Sequence, residues 1–398
     1  MPVAPSFAEN LLREKSGATI ANAAHRAGWP DFAQFRPHAT AATLIGALAE
    51  ATARTCELFS VIDRARLAVP LMPIVNPPLW ELGHVAYFYE FWIDRRGDVR
   101  RPSRIAHADA LYDSAKVAHD SRWQLALPDL AATWRYLDDV MAFAGDALSH
   151  GEPDDELAYF VTLGLLHHDM HNEAFTYMWH TLGYPAPGHC EFRHAAQPAG
   201  DALLSPGEIE LGSRPGTGFV FDNEKWAHVV RVAPFAISRR AVTNGEYRDF
   251  IEATGHAAPR YWRKVGGDWQ VRRYDRWLPL PAEDPVVHVS WHEAGDFCAW
   301  ARRRLPSEAE WQAAANAGVL EARASGVWEW TSSRFLPFDG FAPDPYKEYS
   351  APWFVEDHRV LRGGSFASTP RLGRAAFRNF FKPERADVFC GFRTCALD

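Results

Sequence analysis

The sequence predicts a two-part chain, a bundle of four helices followed by an irregular α+β domain. Three observations carry this reading. Four amphipathic helical stretches fill residues 39–183, a Pro-, Gly- and Ala-rich stretch covers 184–204, and strand-like alternation with three helix-capping signatures follows over 205–398. At 398 residues the chain has room for two or three cores. Hydrophobic residues at 47% and charged residues at 23% are ordinary for a folded soluble protein.

The formal charge of −8, with no basic stripe, speaks against nucleic-acid binding, which needs cationic surface to neutralise phosphate. No apolar run reaches bilayer length and the first residues lack the apolar core of a secretory signal. A cytoplasmic protein with no membrane partner is expected. Cys56, Cys190, Cys298, Cys390 and Cys395 are scattered, without a CxxC pair, and are expected as reduced thiols.

Residues 1–38 read as an irregular lead-in with one short helix at most. From Ala41 to about Ala65, Leu44, Leu48, Leu58 and Ile62 fall on one helical stripe. Pro73, Pro77 and Pro78 end that helix, because each removes an amide donor and disfavours helix in the residue before it. A second helix, about Leu79 to Arg95, puts His84 on the face of Trp80, Phe88 and Phe91. A third, Pro128 to about Leu148, turns Leu130, Trp134, Leu137 and Met141 inward. The fourth runs from about Asp155 to Leu182. Its apolar side holds Phe160, Leu163, Gly164, Ala174 and Met178 with His167 and His171, while Asp169, Asn172 and Glu173 face away and His168 sits one position off.

His167 and His171 are one helical turn apart, so both imidazoles reach one point. A lone histidine on an apolar face is ordinarily a hydrogen-bonded core residue, and HxxxH recurs by chance. The coincidence of that pair with His84 on a second inward stripe is what predicts a metal site in the bundle. Three neutral imidazoles suit iron, zinc, copper or nickel and leave coordination positions open.

After the linker, Glu208–Leu211 and Ala227–Val232 alternate as strands. The boxes Thr243-Asn-Gly-Glu246, Ser290-Trp-His-Glu293 and Ser307-Glu-Ala-Glu310 predict helices at about 244–254, 292–303 and 307–316.

Motifs in this half resemble those of the formylglycine-generating-enzyme type domain, a variant of the C-type lectin fold. They are Phe235-Ala-Ile-Ser238, Val242-Thr-Asn244, Val289-Ser-Trp291, Arg304-Leu-Pro-Ser-Glu-Ala-Glu-Trp311, Trp328-Glu-Trp330, Arg362-Gly-Gly-Ser365 and Gly391-Phe-Arg393, in order. Formylglycine generation needs a cysteine pair that follows RGGS in those enzymes, yet Ser365 is followed here by Phe366-Ala-Ser-Thr369. The first half resembles the DinB-type four-helix bundle. The fusion, with Leu82-Gly83-His84 and the HxxxH, is similar to the iron-dependent sulfoxide synthases of ergothioneine and ovothiol biosynthesis, the selenium-using selenoneine synthase branch being nearest in pattern.

That resemblance implies Fe(II) on His84, His167 and His171, with O2 as co-substrate. It implies hercynine (Nα-trimethylhistidine) as one substrate, oriented by Asn379 and walled by Phe380 and Phe381, since a quaternary ammonium needs aromatic faces. Arg385 matches a residue for the second substrate. The segment after WEWT reads Phe335-Leu-Pro-Phe338-Asp-Gly-Phe341, where relatives carry tyrosines, so Phe338 and Phe341 would line the site without a phenol. Tyr87, Tyr346 and Tyr349 are the candidate proton donors instead. Met170 stands where some relatives place a glutamine. Phe381 replaces an acidic partner of the sulfur donor, which favours an uncharged selenosugar and a functional link to the enzyme that makes it. The alternatives are sulfoxide synthesis with cysteine or γ-glutamylcysteine, and a small-molecule-binding module without catalysis.

Overall fold

The computed structural model describes residues 29–35, 39–188, 192–321 and 323–397; most of the expected lead-in and Cys190 lie outside them. Helix α1 is Ala41–Ser60, opened by Thr40, whose hydroxyl accepts from the amide of Thr43. Helix α2 is Pro78–Tyr89, with proline in the first turn, where the missing amide has no partner to lose, and it continues through a π turn, Glu90–Asp94. A short α3, Ala108–Tyr112, follows. Helices α4, Leu130–Ser149, and α5, Asp155–Leu182, are opened by Asp129 and Asp154. α1 and α2 each pack on both α4 and α5, closing a four-helix bundle.

Two expectations about faces are corrected. In α4 the buried face is Thr133, Tyr136, Leu137, Val140 and Ala144, whereas Leu130, Trp134 and Met141 are half-buried. The rotation brings the Tyr136 phenol onto the buried Glu90 carboxylate, a polar anchor that a hydrophobic count does not register. In α5, His168, Asp169, Asn172 and Glu173 are all buried. These four polar residues are all hydrogen-bonded. Thr55 bonds His168 and Asn172, both at 2.7 Å, while Asp169 and Glu173 meet side chains of the second half.

The stretch expected as linker already carries β1, Asp201–Leu204. It is followed by a hairpin of β2, Gly207–Leu211, and β3, His228–Val232, and by β4, Phe235–Ser238, which pairs antiparallel with β1. Next come α6, Asn244–Thr254, and a three-stranded sheet of β5, Trp262–Val265, β6, Asp268–Arg273, and β7, Arg276–Pro279. α7, Trp291–Ala301, β8, Arg303–Arg304, and α8, Glu308–Asn316, then lead to β9, Trp328–Arg334. All three expected capping boxes form.

The last strands are β10, Arg359–Gly363, β11, Asn379–Phe381, β12, Cys390–Phe392, and β13, Cys395–Ala396. The two four-stranded sheets run β1-β4-β13-β8 and β11-β10-β9-β12. The motifs are their scaffold. Glu329 of WEW is buried against Arg393 of GFR and accepts from the Trp311 indole at 2.7 Å, and Glu308 joins Arg362 of RGGS to Arg378. Among the described residues Cys56, Cys298, Cys390 and Cys395 are free thiols, and no helix is long and apolar enough to cross a membrane.

Candidate metal centre and substrate chamber

α2 and α5 bring His84, His167 and His171 together, with one ring nitrogen of each inside a cluster whose members lie within 4.8 Å of one another. Each ring is held from behind. His84 Nδ1 donates to the carbonyl of Tyr112 at 2.7 Å, and because a carbonyl only accepts, the proton is on Nδ1 and the Nε2 lone pair is free. Gly83 makes this contact possible, since a Cβ there would stand 2.3 Å from the Tyr112 ring. His84 also stacks on Trp80 (5.0 Å, 7°), and His167 stacks on Phe88 (3.6 Å, 7°).

His171 Nδ1 donates to the buried Glu81 carboxylate at 2.9 Å, which likewise frees its Nε2. Glu81 accepts in turn from Asn76 (2.9 Å), whose carbonyl takes Arg122 Nη1 (2.7 Å). Outer partners of this kind fix the orientation of metal-binding imidazoles.

The donor set fits a transition metal. His167 and His171 approach Nε2 to Nε2 at 3.1 Å, and His167 Nδ1 is buried without a hydrogen-bond partner. Burial, then the neighbouring His171, pushes the pKa of both His84 and His167 well below the ordinary value, so the rings are neutral and able to ligate. The chemistry of three imidazoles accommodates iron and zinc alike.

The histidines open onto a cavity of about 800 Å³. Asn379, Phe380 and Phe381 of β11, Met170 of α5, and Tyr346 and Tyr349 all line it. The Tyr349 hydroxyl points at the Met170 sulfur (3.8 Å). Burial, then Glu348, raises the Tyr346 phenol well above its usual range, so it stays protonated.

Phe338, Phe341 and Arg385 do not line the cavity. Phe338 lies under the Arg378 guanidinium (4.2 Å) and against His228, and Phe341 packs on Phe354 (5.0 Å), both outside the cavity wall. Arg385 stands behind Phe381, 5.0 Å from its ring, turned onto Asp387 at 2.6 and 2.7 Å. Tyr87 lines an adjoining cavity of about 430 Å³, which shares His84 and Tyr346 with the chamber, and donates to Asp109 at 2.8 Å.

Sequence reasoning missed Arg122. It sits in a short 3-10 turn, His119–Gln124, with no periodicity to mark it, yet it lines the chamber 3.7 Å over the Trp80 ring. Burial lowers its pKa and its Nε has no hydrogen-bond partner.

A three-histidine cluster opening onto a chamber that both halves line fits a metal-dependent enzyme. The family described as Sulfatase-modifying factor enzyme 1-like domain matches residues 189–325 and 322–397. The formylglycine-generating enzyme of Streptomyces coelicolor is 29% identical, over 50% of this chain and 89% of that protein. The similarity to hercynine oxygenase of Mycobacterium tuberculosis extends across both halves, at 32% identity over 87% of this chain and 96% of that protein. The Mycolicibacterium smegmatis hercynine oxygenase gives 32% over 88% and 98%. The chain belongs to the hercynine oxygenase family.

Proposed function

We propose that this enzyme joins C2 of the hercynine imidazole to the sulfur of a thiol amino acid, cysteine or γ-glutamylcysteine, using Fe(II) and O2. Hercynine C–H, thiol S–H and O2 become a C–S bond, a sulfoxide oxygen and one water, so the four electrons taken up by O2 are accounted for. The observation that carries this reading is the chamber that holds the three histidines and Asn379–Phe381 together. The DinB-type bundle over 39–183 supplies the metal ligands and 205–398 the hercynine wall, with 184–204 between them.

His84, His167 and His171 would hold the iron, which would supply O2 activation. The chain's own residues do the rest. Asn379 orients hercynine, and the aromatic rings of the wall, Phe380 and Phe381 among them, receive its trimethylammonium group. Fixing both substrates beside one metal makes the coupling intramolecular. Tyr346 and Tyr349 hold protons at the chamber wall, in place of the phenols missing from 335–341.

Arg122 favours a charged donor. The selenosugar expectation rests on Phe381 having replaced an acidic group, so that a charge would lack a partner. Arg122 is a half-buried cation on the chamber wall and offers a carboxylate that partner. The two most similar relatives described above are hercynine oxygenases by name, and this too favours the sulfur reading over the selenium one.

The test is anaerobic Fe(II) loading, then O2 with hercynine and either γ-glutamylcysteine, cysteine or a selenosugar, with products read by mass spectrometry. A sulfoxide with a thiol is the expected result. A selenium adduct alone would move the enzyme to the selenoneine branch, and no product from any donor would favour the binding-module reading. Arg122→Met, which keeps the stem against Trp80, should raise the thiol-donor KM about ten- to a hundredfold, the worth of a charged hydrogen bond. Metal content and the hercynine KM should hold; an unchanged donor KM would remove Arg122 from the site.

A further inference from the structure

The helix that carries the HxxxH pair is gripped from its other side. Asp169 and Glu173 each follow a histidine ligand by two residues, and two residues turn an α-helix by about 200°. Each carboxylate therefore leaves α5 opposite its histidine, and both are buried. Asp169 accepts from Arg371 Nε and Nη2 at 2.7 and 2.9 Å and from the Thr369 hydroxyl at 3.0 Å. Glu173 accepts from the Ser365 hydroxyl at 2.5 Å, the Ser368 hydroxyl at 2.8 Å and the Trp328 indole at 2.8 Å.

Except for Trp328, every one of these donors lies on the single loop that leaves β10 and enters β11. Gly363 and Gly364 open the loop at φ +97° and +140°, backbone that side-chain-bearing residues avoid, and this delivers Ser365 to Glu173. Leu372 and Phe377 of the loop line the chamber, and the loop ends in Asn379.

We infer that this loop is a register clamp. Asp169 and Glu173 are positioning residues that fix His167 and His171 relative to Asn379–Phe381, so the spacing between metal and hercynine ring is set across the boundary of the two halves. Apolar packing would join the halves with less desolvation cost; two buried carboxylates with six directional bonds hold them in one register as well. Where formylglycine-generating enzymes place a cysteine after this motif, the chain uses Ser365 and Ser368 to hold the metal helix.

The inference deepens the proposed function and rests on it only for kinetics. Two variants test it, Ser365→Ala/Ser368→Ala and Arg371→Lys, each Fe(II)-loaded. The readouts are iron stoichiometry, the electron paramagnetic resonance spectrum of the Fe(II)–nitrosyl complex, and product formed per O2 consumed. Iron content should match the parent enzyme while the nitrosyl spectrum changes, because the imidazoles have moved. kcat should fall about ten- to a hundredfold, as for other outer partners of metal ligands. The hercynine KM should stay within about twofold, and O2 consumption should uncouple from product.

A nitrosyl spectrum and coupling ratio equal to the parent's in both variants would overturn the clamp, as would a kcat loss matched by the folded fraction alone. If the double variant does not fold, Arg371→Lys decides, since that residue is partly exposed and keeps its charge. A parent enzyme that makes no product refutes the functional reading, and the substrate-free spectra still decide on the clamp.

Discussion

His84→Ala is expected to abolish turnover and to lower iron affinity by more than about a hundredfold, the upper end of what even outer partners of a metal site cost. Two imidazoles would remain, on one helix turn, with nothing from α2 to complete the set. The fold should survive, because the side chain lies between Trp80 and the cavity and its loss extends space already present. The clearest readout is thermal unfolding without oxygen, with and without Fe(II). Metal that binds only the native state raises the parent's Tm with concentration, and the variant should lose that dependence.

Gly83→Ala is a companion test. Its Cβ would meet the Tyr112 ring at 2.3 Å, displacing the carbonyl that holds His84 by Nδ1, so it should weaken iron binding with all three histidines present. A His84→Ala enzyme with full iron content and an unchanged Tm response would mean that the three histidines are merely core residues.

The parts of this site that could be read in sequence are those with a local period. α5 runs Asp155–Leu182, as its pattern predicts, and the 3.6-residue period alone put His167, His171 and His84 on inward stripes. The capping boxes fixed three helix starts, because the cap and its glutamate are neighbours in the chain. What stayed hidden depends on partners far along the chain. Asp169 and Glu173 look solvent-facing by pattern because an amphipathic reading allows one buried face, while their partners Arg371 and Ser368 lie about two hundred residues away. Phe338 was misplaced for a related reason: nothing near it in sequence shows that Arg378 lies over its ring. β1 was lost in a Pro- and Gly-rich stretch because its hydrogen-bonding partner, β4, comes thirty residues later.

Glu308→Gln should be the most destabilising of the conservative changes in the second half, at about 3–5 kcal/mol, the cost of stripping a buried charge of its partner. Glu308 Oε2 accepts from Arg362 Nη2 at 2.8 Å and from Arg378 Nε at 2.9 Å, and Oε1 from Arg378 Nη2 at 3.1 Å. The two guanidiniums are 0% and 1% exposed, so water cannot take over when the carboxylate is gone. Burial alone would raise the Glu308 pKa, but Arg378 and Arg362 outweigh it and hold the group below its ordinary 4.5.

A folded-state pKa below the unfolded one means that the contribution is whole above the unfolded value and is lost as pH falls through the folded one. Urea unfolding should therefore show the full gap between parent and Glu308→Gln at pH 7, with the gap narrowing only in acid below about 4.5. A gap under about 1 kcal/mol at pH 7 would mean that the other acceptors of Arg378, the carbonyls of Asn223 and Leu336, already suffice. The same substitution should reach the chamber, because Arg378 immediately precedes Asn379 and β11 is an edge strand paired with β10. A variant still folded at low temperature should thus show a raised hercynine KM with its iron intact, separating the proposed substrate wall of the second half from the proposed metal site of the bundle.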